Sequence, residues 1–196
     1  MAFTKRYPGG TELEISMLFV DVRGSTDLAE RMTATDFAQL MNRFYETATD
    51  VLIRTDAIID KLVGDEVMAL YFPLFTGPNH ARPAVHAAQQ LLRATGHGEK
   101  QGPWLPIGVG VHTGVAFVGT VKGAEDSVDD ITALGDNVNV AARLASMAAP
   151  GEALISEAAC ACAGVNLGEV DQRKLELKGR SEPILARVLR VSAGQL

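Results

Sequence analysis

The sequence is poor in cysteine, with only Cys160 and Cys162 among 196 residues. One intervening residue is poor spacing for an ordinary disulfide. Two cysteines with no histidine beside them in the chain make a weak zinc motif. Both are read as free, structural thiols of a reducing cytoplasm. Long apolar runs are also missing: none approaches the roughly 20 residues that span a bilayer. The opening residues, M-A-F-T-K-R-Y-P-G-G, lack the apolar centre of a secretory signal. Positive charge is in deficit, and the formal net charge of −6 excludes a broad nucleic-acid surface. An anionic ligand must therefore be held by a few placed cations or by metal. There is no repeat, low-complexity segment or domain-scale linker. What the chain does have is hydrophobic content, 47% of its residues, enough for one globular domain with a full core. Residues 1–12 read as a polar lead-in and residues 13–196 as that domain.

The most informative stretch is Ile15–Leu28, I-S-M-L-F-V-D-V-R-G-S-T-D-L. Its first eight residues read as a buried strand. Asp21 stands near the strand end, then Gly24-Ser25-Thr26 lead into a helical pattern, with Ser25 or Thr26 as N-cap. A carboxylate at a strand end can hold a hard cation such as Mg²⁺, and a helix start suits a phosphate beside it. Asp21 can equally cap a turn.

Farther on, Ala57–Val63 and Glu66–Phe72 are apolar runs around Gly64-Asp65, the pattern of a hairpin. Between them and the first strand lies a helix with Phe37, Leu40, Met41, Phe44, Tyr45, Ala48, Val51 and Leu52 at helical spacing, a core stripe. A long helix is expected over 79–95. Ile107–Gly119 reads as a glycine-dotted, bent strand. His112 within it reads as a satisfied sheet histidine. A strand at 131–134, a helix from Gly135-Asp136 to about Met147, a strand at 153–156 and a helix through the cysteines follow. Strands at 169–177 and 184–191 close the chain.

The order is β-α-α-β-β-α-β-β-α-β-α-β-β. It implies an α+β fold: a ferredoxin-like mixed sheet with helices mainly on one face, extended by C-terminal strands. In such a sheet the first strand neighbours the hairpin, so Asp21 and Asp65 converge. Two convergent carboxylates can hold one or two divalent cations, as two-metal phosphoryl chemistry requires. Asn139 and Arg143, four apart, share a helix face and suit a sugar hydroxyl and a phosphate oxygen. Such pairs also stand on solvated faces. Arg23 and Arg180 read as solvated surface charges, with help in gripping phosphate as the alternative.

The strings F-V-D-V-R-G-S-T, K-L-V-G-D-E-V-M-A, G-V-G-V-H-T-G, T-A-L-G-D-N-V-N-V-A-A-R-L and L-K-G-R resemble the class III nucleotidyl cyclases, the adenylate and guanylate cyclase catalytic domain. They occur in family order over roughly residues 13–191. The resemblance implies a cytoplasmic signalling lyase and a head-to-tail homodimer with interfacial active sites. Asp21 and Asp65, helped by the Val22 carbonyl, would ligate two Mg²⁺ or Mn²⁺ ions per site. From the other subunit, Lys61 and Thr132 would contact the base, Asn139 the ribose and Arg143 the α-phosphate. Lys178 would hold the outer phosphates, with Gly24, Ser25 and Thr26 also at phosphate. ATP would yield 3′,5′-cyclic AMP and pyrophosphate.

Two departures from the family pattern stand out. Thr132 replaces the more usual aspartate, as in the subgroup that includes bicarbonate-responsive adenylate cyclases. A hydroxyl both accepts and donates, so guanylate cyclase activity is the alternative, although Lys61 favours ATP over GTP. Gly108 stands where some relatives carry a phosphate-binding arginine. A third reading is a nucleotide-binding regulatory module without turnover. Relatives often carry sensor domains, so a longer parent protein is also expected as an option.

Overall fold

A computed structural model describes residues 9–122, 129–168, 170–176, 180 and 182–192. The strands are β1 (Thr11–Val22), β2 (Ile58–Val63), β3 (Glu66–Tyr71), β4 (Ile107–Lys122), β5 (Asp129–Leu134), β6 (Glu152–Ser156), β7 (Gln172–Leu175) and β8 (Ile184–Leu189). The helices are α1 (Ser25–Arg31), α2 (Ala34–Arg54), α3 (Pro73–Thr76), α4 (Ala81–Ala94), α5 (Asp136–Met147) and α6 (Glu157–Ala163). The sheet runs β2-β3-β1-β4-β6-β8-β7, with β5 paired to the far half of β4. Its first four strands have the order of a ferredoxin-like unit. Only β4 and β6 run parallel; the other neighbours are antiparallel.

Side-chain alternation along β1 splits the core in two. Leu18, Val20 and Val22 face a layer containing α2, α4 and α6. Ile15, Met17 and Phe19 face the other way, with Met68 and Leu70 of β3 and Ala141 and Ala145 of α5. Helices thus lie mainly on one face, and α5 is the exception. Met41, Phe44, Ala48, Val51 and Leu52 of the α2 stripe are buried. Thr33 caps α2 by accepting from the Asp36 N–H at 3.1 Å.

The glycines of β4 have a use that the sequence reading, a bent strand, does not supply. They form the bed on which α5 lies. A Cβ on Gly110 would collide with the Ala145 nitrogen and the Ala141 carbonyl oxygen. One on Gly108 would stand 2.9 Å from the Ala148 oxygen, and one on Gly114 2.6 Å from Asn137. Only bare backbone lets the helix approach this closely.

Several boundaries differ from expectation. β1 begins at Thr11, inside the stretch read as a lead-in, because its start pairs with the far half of β4. The short α3 precedes a separate α4. α1 opens on Gly24 in the left-handed region with no side-chain cap. The Ser25 hydroxyl is used elsewhere.

Candidate active site

Asp21 falls near the end of β1 and shares the α5 face with Phe19 by alternation. Its cross-strand partner is Glu66 of β3. Gly64, at φ 61°, turns β2 into β3 and sets Asp65 at the hairpin tip. The Val22 N–H donates to the Asp65 carbonyl at 3.0 Å, so Asp21 and Asp65 stand at the same corner of the sheet. The Ser25 hydroxyl donates to the Asp65 carboxylate. Tyr45 on α2 braces the tip through a hydroxyl bond to the Gly64 carbonyl.

The charges at this corner are crowded. Burial raises the pKa of Asp21, and the charge of Asp65 adds to it, while the hydrogen bond and charge of Arg23 oppose it. Burial raises Glu66 as well, with further contributions from Asp21 and Asp65. Even the Tyr45 phenol is raised, by burial and then by Asp65. An all-oxygen set whose carboxylates disfavour one another suits a hard divalent cation.

Arg23 is not a solvated surface charge. Its side chain is 17% exposed, it pairs with Asp21, and it donates to the Ser146 carbonyl at 2.8 Å. It therefore ties the acidic corner to the C-terminal end of α5. Arg180 pairs with Asp136 at 2.7 Å, at the N-terminal end of the same helix.

A second group sits on β2 and β5. Lys61 is paired across strands with Met68, which puts it on the α5 face. Its ammonium donates to the Thr132 hydroxyl at 2.6 Å. Thr132 in turn donates to the Asp60 carboxylate at 2.9 Å. The Asp60 side chain is fully buried, and Lys61 lies 3.2 Å from its carboxylate. The hydroxyl proton of Thr132 is thus committed to Asp60. Toward a ligand, Thr132 presents only lone pairs.

On α5, Asn139 is exposed and Arg143 half-buried, one turn apart. The helix start is fixed by Asn137, whose amide donates to the Val115 carbonyl at 2.8 Å. The His112 Nε2 lies 3.0 Å from the Asn137 Oδ1, and its Nδ1 lies 2.8 Å from the Ser156 hydroxyl. Since Oδ1 can only accept, Nε2 carries the proton. Burial lowers the His112 pKa, so the ring is neutral. His112 is a satisfied sheet histidine that braces the helix carrying Asn139 and Arg143. Gly24 and Thr26 are exposed beside the acidic corner. Lys178 lies outside the described residues.

The family model for the adenylate and guanylate cyclase catalytic domain matches residues 10–188. The chain belongs to that family. It is 30% identical over 185 residues to an uncharacterized protein of Mycobacterium bovis, covering 90% of this chain and 31% of that protein. The chain thus spans about a third of that relative's length. Its fold superposes on the guanylyl cyclase Cya2 with TM-score 0.82 at 25% identity, covering 95% of this chain and 96% of that one. The adenylyl cyclase CyaB from P. aeruginosa gives TM-score 0.78 at 27% identity, covering 93% and 96%.

In this cyclase domain, Gly108 cannot be replaced by a phosphate-binding arginine without moving α5, since its Cβ would press on Ala148. Three residues of the candidate site escape sequence reasoning: Asp60, Glu66 and Arg23. Asp60 precedes Lys61, but a bulge between Ile59 and Lys61 turns it toward Thr132. Glu66 follows Asp65 and becomes visible once the register with Asp21 is known. Nothing local marks Arg23 as bridging Asp21 and Ser146, 123 residues apart from it in the latter case. Among the described residues, no helix is long and apolar enough to cross a membrane.

Proposed function

We propose that the chain is an adenylate cyclase, converting ATP to 3′,5′-cyclic AMP and pyrophosphate in a homodimer with interfacial sites. The observation that carries the choice of ATP is the Asp60–Thr132–Lys61 relay. Adenine offers an acceptor at ring N1 and a donor at the exocyclic N6. Lys61 supplies the donor and Thr132, its proton held by Asp60, supplies the acceptor. Guanine reverses both positions. The likeness to CyaB, an adenylyl cyclase, supports this reading, and the likeness to Cya2 makes GTP the competing substrate to test.

Asp21, Asp65 and the Val22 carbonyl would hold two Mg²⁺ or Mn²⁺ ions, which when bound acidify the ribose 3′-hydroxyl and neutralise the triphosphate. Asn139 of the facing subunit orients the ribose. Arg143 donates to the α-phosphate oxygens, where charge develops as the 3′-oxygen attacks. The bond from the α-phosphorus to the bridging oxygen breaks, pyrophosphate leaves, and the 3′ proton passes to water. Gly24, Ser25 and Thr26 open α1 beside the outer phosphates, and Lys178 adds a cation there. Two exposed apolar side chains flank the corner: Val63 at 62% and Met147 at 43%.

Purified protein with Mn²⁺ and either ATP or GTP, followed by chromatographic identification of products, tests the proposal. Cyclic AMP should form from ATP at least about tenfold faster than cyclic GMP from GTP, the ratio one well-placed hydrogen bond supplies. Cyclic GMP as main product would make the chain a guanylate cyclase. No product from folded dimer would leave a nucleotide-binding module.

A further inference from the structure

On the face away from the candidate active site, three side chains distant in sequence converge. Glu14 lies on β1, His80 just before α4, and Cys162 in α6. One ligand atom from each lies within 4.8 Å of the others. The His80 Nε2 stands 3.6 Å from the Cys162 Sγ. Zinc binds nitrogen at about 2.0–2.1 Å and sulfur at about 2.3 Å, so two such ligands at the tetrahedral angle stand about 3.5–3.6 Å apart. The pair already has the spacing of one edge of a zinc tetrahedron.

The imidazole is also aimed. Its Nδ1 lies 2.9 Å from the Ser16 hydroxyl, which lies 2.6 Å from the Thr113 hydroxyl. Ser16 and Thr113 are cross-strand partners on β1 and β4. His80, Ser16 and Thr113 are 2%, 0% and 5% exposed. An Nδ1–H donated to Ser16 leaves the Nε2 lone pair directed at Cys162. Metal-ligating histidines are held in this way, by a hydrogen bond on the nitrogen that does not bind. The exposed Glu14 leaves an approach from solvent.

We propose that Glu14, His80 and Cys162 form a binding site for a borderline-soft divalent cation of the zinc class, with a fourth position for water. Binding converts the Cys162 thiol to thiolate, and its proton passes to solvent. The acidic corner offers only oxygen and suits harder cations, so the two sites differ in preference. A cation bound at Glu14 would pin β1, the strand that also carries Asp21, to α4 and α6. The separation from Glu14 to Asp21 is about 23 Å along the strand, at about 3.3 Å per residue.

The test is a Co²⁺ titration of the purified full chain in excess Mg²⁺, followed by near-ultraviolet absorption. A thiolate-to-cobalt charge-transfer band should appear, saturate at one equivalent and disappear on adding Zn²⁺. Cys162→Ser should abolish the band and Cys160→Ser should retain it. Glu14→Gln alters an exposed residue and leaves the core intact. It should weaken Co²⁺ binding at least about tenfold. Absence of the band in wild-type protein, its survival in Cys162→Ser, or unchanged affinity in Glu14→Gln overturns the proposal.

Discussion

The hydroxyl of Thr132 donates to the carboxylate of Asp60 at 2.9 Å, across 72 residues of sequence. This bond makes an ambivalent hydroxyl into an acceptor. Removing the carboxylate frees the proton to turn toward the ligand. Asp60→Ala should lower the ratio of kcat/KM for ATP over GTP by roughly tenfold, about 1.4 kcal/mol of discrimination. Steady-state rates on both nucleotides measure it. An unchanged ratio in folded protein would show that Thr132 takes no direction from Asp60.

The acidic corner is arranged at a cost to stability. Burial raises the Glu66 pKa, and Asp21 and Asp65 add to it while Arg23 opposes. The folded chain therefore binds this proton more tightly than the unfolded chain. Stability contributed at this group falls as pH rises from the unfolded value through the folded one, and the deficit persists at neutral pH. Glu66→Gln removes it. In chelator at pH 7, the Tm of the variant should rise. A lower Tm would mean that the Glu66 charge is stabilising.

Asp21 gives the matching prediction for activity. Its pKa is raised, chiefly by burial. A protonated Asp21 cannot ligate a cation. The acid limb of the activity profile should therefore lie above the ordinary carboxylate range and move to lower pH as Mn²⁺ is increased. A limb that ignores Mn²⁺ would disconnect Asp21 from metal.

Two strands across the sheet from Asp21, at the start of β6, Glu152 works in the opposite sense. Burial would raise it, but bonds from Arg173, from the Ala149 N–H and from Arg190 outweigh that and hold it at about 2. Arg173 reaches it at 2.6 and 2.7 Å and Arg190 at 2.7 Å. A depressed carboxylate stabilises above the unfolded value and loses that contribution as pH falls through the folded one. Glu152→Gln should cost about 2 kcal/mol at pH 7, since both arginines are partly exposed and not wholly stranded. Urea unfolding of the two proteins should converge as pH approaches 2. A constant difference would assign the loss to packing.

Gly110→Ala probes the seat of α5. The new methyl group has only helix backbone to meet, and backbone does not yield cheaply. A loss of about 3 kcal/mol or more is expected, with activity falling further as Asn139 and Arg143 shift. Gly114→Ala meets the Asn137 side chain and should be milder. Equal effects at the two positions would count against the glycine bed.

Much of this was legible in the sequence because the signals are local. Asp21 stands near the end of a buried strand, Asp65 follows a turn glycine, and Asn139 and Arg143 are spaced by one helical turn. The apolar stripe of α2 marked the face it buries. What stayed hidden depends on pairings between distant segments. Asp60 and Thr132 meet only because β5 returns against β2. His80 and Cys162 are 82 residues apart, so a count of histidines near the cysteines in sequence passes over them. The turn at Gly24-Ser25 misled in another way. Gly24 takes the cap position and Ser25 is the first helical residue, from which its hydroxyl donates to the Asp65 carboxylate.

In the proposed dimer, one chain brings the acidic corner and its partner brings Asn139 and Arg143. Asp65→Ala and Arg143→Ala proteins, each inactive alone, should be combined and the isolated heterodimer assayed for cyclic AMP production from ATP. One of its sites then carries both lesions and the other carries none, so activity should return. A verified heterodimer that stays inactive would contradict the shared site.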